Sequence, residues 1–250
     1  MSAAAPQATY VYGVLSADDE PPNIKGIGGA PLQEVTSDGV AALVSDMSDH
    51  ELKLGREEMT THARVLEEAL QNGTVLPMRF GVVMAGEPAV KSGLLDAHLD
   101  ELKQQLSEMT GKVELRVRAV YDEQNLMREV VQEDQDIARL RDSLRGAPED
   151  ATYYGRIQLG EMVAQAVERK RDSDAAQLLD ILVPLALAVQ AGEPNNERIV
   201  LNASFLVERD DMAEFDDAVD AVGRAQADRM RLKYTGPLPP HSFVRLRTEA

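Results

Sequence analysis

Apolar and polar positions follow two periods along this chain, and the switches between them outline its elements. Residues 10–15 (YVYGVL) are β-branched and aromatic and predict a strand. A polar, Pro-containing loop covers 16–22, and a glycine cluster covers 26–29. Two short strands follow at 32–36 and 40–45, with Asp38-Gly39 as the turn between them. The period then lengthens. Val65, Leu66, Ala69 and Leu70 mark one face of a helix over 57–70, which Asn72-Gly73 ends. Residues 75–81 (VLPMRFG) are short and extended, because Pro77 lacks an amide donor and pushes Leu76 out of helical space. Leu95, His98, Leu99, Leu102, Leu106 and Met109 recur at steps of three and four and predict a helix over 88–109, stopped by Gly111.

Strict alternation returns at 113–120. Val113, Leu115, Val117 and Ala119 face one way and Glu114, Arg116 and Arg118 the other, as in a half-exposed strand. Residues 122–190 are helical in pattern, interrupted at Gly146-Ala147-Pro148. A polar-faced helix over 150–171 is followed by an apolar stretch, 175–189, that Pro184 kinks or breaks. After a turn at 192–196 comes the clearest strand, 198–207, with Ile199, Leu201, Ala203, Phe205 and Val207 on one face. Asp211 is placed to cap the next helix, with Glu214 three residues on and Phe215, Ala218, Val219 and Val222 as its buried stripe. Strands at 230–235 and 242–246 flank a Pro-rich turn at 236–240. The order predicts an α+β protein of two domains, each an antiparallel sheet with helices on one face and ferredoxin-like in character. The expected division is 9–121 for the N-terminal domain, 122–192 for a joining helical segment, and 193–247 for a β-α-β-β part that packs with that segment as the second domain.

Composition narrows the function. Hydrophobic residues make up 44% of the chain, enough for a packed core, while aromatics are only 4% and Trp is absent. With 26 basic and 43 acidic residues the net charge is −17, which disfavours nucleic acid and anionic membrane as partners. Such charge favours solubility in a protein that handles sticky clients. There is no cysteine, which removes disulfides, thiolate metal sites and thiol nucleophiles. The first seven residues are small and polar, unlike a signal peptide, and the longest apolar run, 181–189, is too short to span a bilayer. A cytoplasmic protein is expected.

No catalytic constellation emerges. Gly26-Ile27-Gly28-Gly29 lacks the third glycine of a dinucleotide loop, since Pro31 stands there, and no Lys-Ser or Lys-Thr follows for a phosphate loop. His50, His62, His98 and His241 share no metal-ligand spacing. His98 reads as a core histidine on an apolar helix face, and His62 as a solvated one. No enzyme activity, cofactor, metal or small-molecule substrate is expected. Two stiff segments stand out. Arg79 and Phe80 lie between Pro77 and Gly81, and Tyr234 and Phe243 bracket Gly236, Pro237, Pro239 and Pro240. Each suits partner contact at small entropic cost or a turn packed on its own domain. The candidate contact residues are Arg79, Phe80, Tyr234, Pro237, Pro239 and Phe243.

These segments carry a resemblance. YVYGVL, GIGGAPL, the strand DGVAALVS, His62 with VLEEAL, VLPMRFG, GKVELRVRAVYDE, the helix start RIQLG, ERIVLNASFLVER and YTGPLPPHSFV resemble, in order over 9–246, the F/L family of gas vesicle accessory proteins. VLPMRF and TGPLPP are its most specific motifs. The resemblance implies a non-enzymatic assembly or nucleation factor associated with gas vesicles, chaperone-like, binding the hydrophobic major shell protein and other accessory proteins. The alternative it leaves is a minor structural component retained in the vesicle wall.

Overall fold

The computed structural model describes residues 8–47, 55–146, 148–193 and 196–245. His50 and Leu246 therefore lie outside the described residues. The architecture is α+β, with two antiparallel sheets and their helices in two compact units. The first unit holds the described residues up to Glu114, with Glu208–Asp210 and those from Gly236 onward; the second holds Leu115–Val207 and Asp211–Thr235.

The first sheet is built around β1 (Ala8–Ser16), in the order β2 (Leu32–Ser37), β3 (Val40–Met47), β1, β4 (Val75–Pro77). A two-residue strand, β5 (Val83–Met84), also pairs with β1, at Thr9 and Tyr10. The short, half-exposed VM pair has too few residues for a period, so the pattern does not show it. Residues 9–15 and 40–45 are buried without interruption, which makes β1 and β3 the core of this unit. Helix α1 (Arg56–Asn72) lays His62, Val65, Leu66, Ala69 and Leu70 inward. It can come close because Gly13 has no side chain: a Cβ there would sit 2.8 Å from the Leu76 carbonyl oxygen and 3.0 Å from Leu66.

The helix expected over 88–109 is broken. A short α2 (Glu87–Ala89) runs into a π-helical stretch, Val90–Asp96, and α3 begins afresh at Leu99 and runs to Met109. The wider π turn rotates the helix surface, so that Val90, Leu94 and Leu95 face inward before the break and Leu102, Leu106 and Met109 after it. His98 sits at the break, half exposed and 3.8 Å from Glu101, so it is not the core histidine its spacing suggested.

The strand at Lys112–Tyr121 (β6) does not join the first sheet, where the order of elements placed it. It belongs to a four-stranded sheet ordered β7 (Ala188–Ala191), β8 (Ile199–Glu208), β6, β9 (Met230–Leu238). Alternation shows which face of a strand is buried but not which strand lies beside it. Its outward face also differs in part: Arg116 and Arg118 are exposed, but Glu114 is buried and accepts hydrogen bonds from the Ser242 amide (2.7 Å) and hydroxyl (3.0 Å).

Helices α4 (Glu123–Glu133) and α5 (Gln135–Leu144) start at Asp122 and Asp134, whose carboxylates accept from the amides two and three residues on. The two helices expected over 150–171 and 175–189 are one 34-residue helix, α6 (Glu149–Leu182). Pro184 ends it in a 3-10 turn, and the residues beyond pair with β8 as β7 instead of staying helical. Helix α7 (Met212–Ala225) buries Phe215, Val219 and Val222, but Asp211 makes no capping side-chain bond. At the C-terminal end β9 continues through a cis Gly236-Pro237 bond to Leu238. Residues 242–245 form a turn and coil instead of the expected last strand, with the Phe243 and Val244 amides donating to the Pro240 carbonyl.

Candidate partner-contact site

The segment VLPMRFG bends along the edge of β1. The Met78 amide donates to the Tyr12 carbonyl (2.9 Å), the chain loops out at Arg79–Gly81, and the Val11 amide donates to the Val82 carbonyl (3.0 Å). Gly81 has φ 95°, a conformation side-chain-bearing residues rarely adopt. The loop is clamped from beneath by Tyr10 and His62. His62 is 4% exposed, contrary to the solvated reading of its sequence position, because it lies three and four residues before Val65 and Leu66 and so shares the buried face of α1. Its Nε2 lies 3.2 Å from the Met78 carbonyl oxygen and its Nδ1 2.9 Å from the Tyr10 hydroxyl. A carbonyl can only accept, so Nε2 carries the proton and Nδ1 accepts from Tyr10. The same hydroxyl accepts from the Gly81 amide at 3.0 Å. Burial holds His62 far below the ordinary histidine range, at about 4, and pushes Tyr10 up to about 12. The cluster is neutral at physiological pH.

Phe80 closes the cluster. Its ring stands edge-on to His62 at 5.7 Å and tilted to Tyr10 at 6.4 Å, while neighbouring Arg79 is exposed. Tyr12, beside Tyr10, performs a parallel task for the glycine cluster: its hydroxyl accepts from the Ile27 amide at 2.7 Å. A Cβ on Gly26 would lie 2.4 Å from that hydroxyl, so Gly26 is there for close approach to a tyrosine.

The Pro-rich segment divides between the units. Tyr234, in the second unit, stacks on Phe215 at 6.2 Å and donates to Asp216 at 2.5 Å, and burial raises its pKa. Pro237, Pro239 and Phe243 belong to the first unit: Pro237 is exposed, Pro239 buried and Phe243 half-buried. His241 acts electrostatically on His62, which brings the C-terminal turn within reach of the Tyr10–His62–Phe80 cluster. Of the six candidate residues, then, only Arg79 and Pro237 are well exposed. Phe80 and Tyr234 pack on rings of their own unit, and Pro239 is buried.

One constellation has no signature in the sequence, because its members are scattered from Tyr121 to Arg229 and paired only by the fold. In the second unit Arg229 donates from Nε to Glu129 (2.9 Å) and from Nη2 to Asp174 (2.7 Å). Lys170 reaches Glu129 at 2.9 Å and Glu133 at 2.8 Å, and the Tyr121 hydroxyl donates to Asp174 at 2.5 Å. The Glu129 carboxylate holds the Arg229 guanidinium more firmly charged than usual. The network joins α4, α6, β6 and the turn before β9.

A cavity of about 560 Å³ in the first unit is lined by Lys103, Lys112, Arg209 and Asp19 among others. Lys103 is paired with Asp38 at 2.6 Å and Arg209 donates to the Leu70 carbonyl at 2.7 Å, so these cations serve the fold. Among the described residues no three His, Asp or Glu side chains are grouped to hold a metal ion, and no helix is long and apolar enough to cross a membrane.

Comparison with known proteins agrees with this architecture. A gas vesicle protein F from Streptomyces sp. (strain CB03234) is 35% identical over 95% of this chain and 99% of its own length. The gas vesicle protein F of Dolichospermum flosaquae is 25% identical over 95% and 97% of the two chains. The crystal structure of GvpF from Anabaena sp. PCC7120 covers 97% of this chain and 100% of its own with a TM-score of 0.84 at 24% identity. That from Microcystis aeruginosa reaches 0.77, also at 24% identity. The profile of the family described as "Gas vesicle synthesis protein GvpL/GvpF" matches residues 8–245, and the chain belongs to that family, whose members take part in gas vesicle formation.

Proposed function

We propose that this protein is an assembly factor that binds the hydrophobic shell protein of the gas vesicle together with other accessory proteins. One surface observation supports the reading. The longest apolar run of the sequence, 181–189, lies largely at the surface: Ile181 is 48% exposed, Val183 42% and Leu187 57%. It leads directly into β7, the edge of the second sheet, whose residues AVQA carry no charge. The opposite edge, β9, is guarded by Arg231, Lys233 and Pro237, the devices that discourage strand addition. An uncharged edge beside exposed aliphatic residues suits an apolar, extended client segment, and the −17 charge of the whole chain would keep such a complex in solution. Exposed Arg79 and Pro237 are further contact candidates on the first unit. In a clean deletion we expect absent or stunted vesicles with an unchanged shell-protein transcript; normal vesicle numbers would contradict the role. Washing purified vesicles with urea separates an assembly factor, which is removed, from a wall component, which stays.

A further inference from the structure

The second sheet has one face turned away from its helices, and on this acidic protein that face is basic. Tyr121 of β6 bonds Asp174 of α6, and Tyr234 of β9 stacks on Phe215 of α7, so these side chains mark the helix-facing side. Alternation puts Arg116 and Arg118 of β6, and Arg231 and Lys233 of β9, on the other side. All four are exposed. The two strands are neighbours in the sheet, joined near their ends by the Asp122 amide donating to the Arg229 carbonyl at 3.0 Å. Next to them β8 contributes uncharged Asn202 and Ser204, the latter accepting from Arg116 Nε at 3.4 Å. Arg118, Arg231 and Lys233 make no ion pair among the described residues. The nearby acids are occupied: Glu114, on the same face of β6, accepts from the Ser242 amide and hydroxyl, Asp122 caps α4, and Glu123 pairs with Arg198 at 3.2 Å.

The geometry restricts the occupant. Alternate residues of a strand are spaced by about 6.6 Å and adjacent strands by about 4.8 Å. Side chains four apart on a helix are displaced by about 6 Å along its axis. A helix with Asp or Glu at i and i+4 can therefore set its carboxylates against Arg231 and Lys233, with Arg118 beside them on the adjacent strand. A polyphosphate chain meets the same cations but brings its long-range charge against a net −17, which works against it. We propose that this sheet face docks an acidic α-helix of a partner protein. The inference rests on the reading that the protein binds accessory partners, and it assigns them a surface separate from the apolar run at 181–189.

The test uses the full chain and a synthetic, fluorescently labelled helical peptide carrying Glu at i and i+4, with a Lys counterpart as control. Saturable binding of the Glu peptide in about 50 mM salt is expected, weakened tenfold or more in about 500 mM salt. R118E/K233E should lose the binding while keeping the wild-type circular dichroism spectrum, and R118Q/K233Q serves if the reversal disturbs folding. Equal binding by these variants, or no saturable binding by the wild type, overturns the proposal. So does displacement of the peptide by duplex DNA at equal concentration. Salt-sensitive self-association of the wild type that R118E/K233E abolishes, seen by sedimentation velocity, also overturns it, because the occupant is then a second copy. Capture of the shell protein is measured in parallel. If R118E/K233E retains that capture while losing the peptide, the two surfaces are separate. If the wild type binds the peptide but never captures shell protein, the assembly reading fails and the acidic-helix site stands.

Discussion

In the first unit the loop at Arg79–Gly81 is held by uncharged groups: a tyrosine hydroxyl, a neutral imidazole and a phenyl ring. In the second unit the turn at Arg229 is held by formal charges, with two carboxylates around a guanidinium and a lysine beside them. Both clusters fasten an irregular segment to regular elements, and both are satisfied. Their dependence on solution conditions differs. A buried neutral network is insensitive to salt but fails when its histidine is forced to take a proton. An ionic network that retains partial exposure tolerates neutral and mildly acidic pH and weakens as ions screen it. The two units should therefore lose structure under different stresses.

The largest expected effect comes from breaking the ionic hub. Arg229→Met leaves Glu129 with Lys170 alone and Asp174 with the Tyr121 hydroxyl but no cation of the network, and should destabilise the second unit by about 3 kcal/mol. Hydrogen exchange read by mass spectrometry should show faster exchange in α4 and α6 but unchanged exchange in β1 and β3. Equal acceleration in both units would mean that the clusters are not independent.

His62→Gln attacks the neutral cluster. Because His62 is held at about 4 against an ordinary 6.5, the native state favours the unprotonated ring. That contribution is present in full above pH 6.5 and is lost as the pH falls from 6.5 through 4. The fall from 6.5 to about 4 limits it to a little over ~3 kcal/mol. The variant should be less stable than wild type at pH 7.5, by about 2 kcal/mol from the broken buried hydrogen bonds, and should lose less on acidification. Parallel stability profiles between pH 7 and pH 4 would rule out His62 as the acid-sensitive element.

Salt sharpens the same contrast. Raising NaCl to about 1 M should lower the stability of the second unit by about 1 kcal/mol relative to the first. The effect should vanish in the Arg229→Met background. A change no larger is expected of P237A/P239A, about 1 kcal/mol through the greater freedom of the unfolded chain. If Pro237 is a contact residue this variant binds partners less well while remaining folded. Normal partner binding would leave the segment a purely structural one.

How far the sequence reveals all this depends on whether a feature is local. The strands at 10–15, 32–36, 40–45 and 198–207 are legible because each is a short stretch with apolar, aromatic or β-branched residues, set off by turn residues or a change of period. The partner of β6 is not legible, since alternation orients a strand without naming its neighbour. Nor is β7, where ALAV continues a helical composition and only pairing with β8 makes it a strand. His62 and His98 are reversed for different reasons. One π turn before Leu99 rotates His98 out of the apolar stripe, while His62 lies one turn before Val65 and Leu66 on the buried face of α1, a position its own period makes legible. Stiffness in VLPMRF and TGPLPP was visible, but what they touch was not: Phe80 and Pro239 are spent on internal packing, and Arg79 and Pro237 are left exposed.

The claim that this chain handles an apolar client is tested most directly by co-expressing it with the shell protein and measuring the partition of the latter between soluble and sedimenting fractions. The shell protein should remain soluble and co-purify with the tagged chain, and I181E/L187E should reduce both while the variant stays folded. Shell protein found wholly in the sediment, with none on the tagged chain, would contradict it.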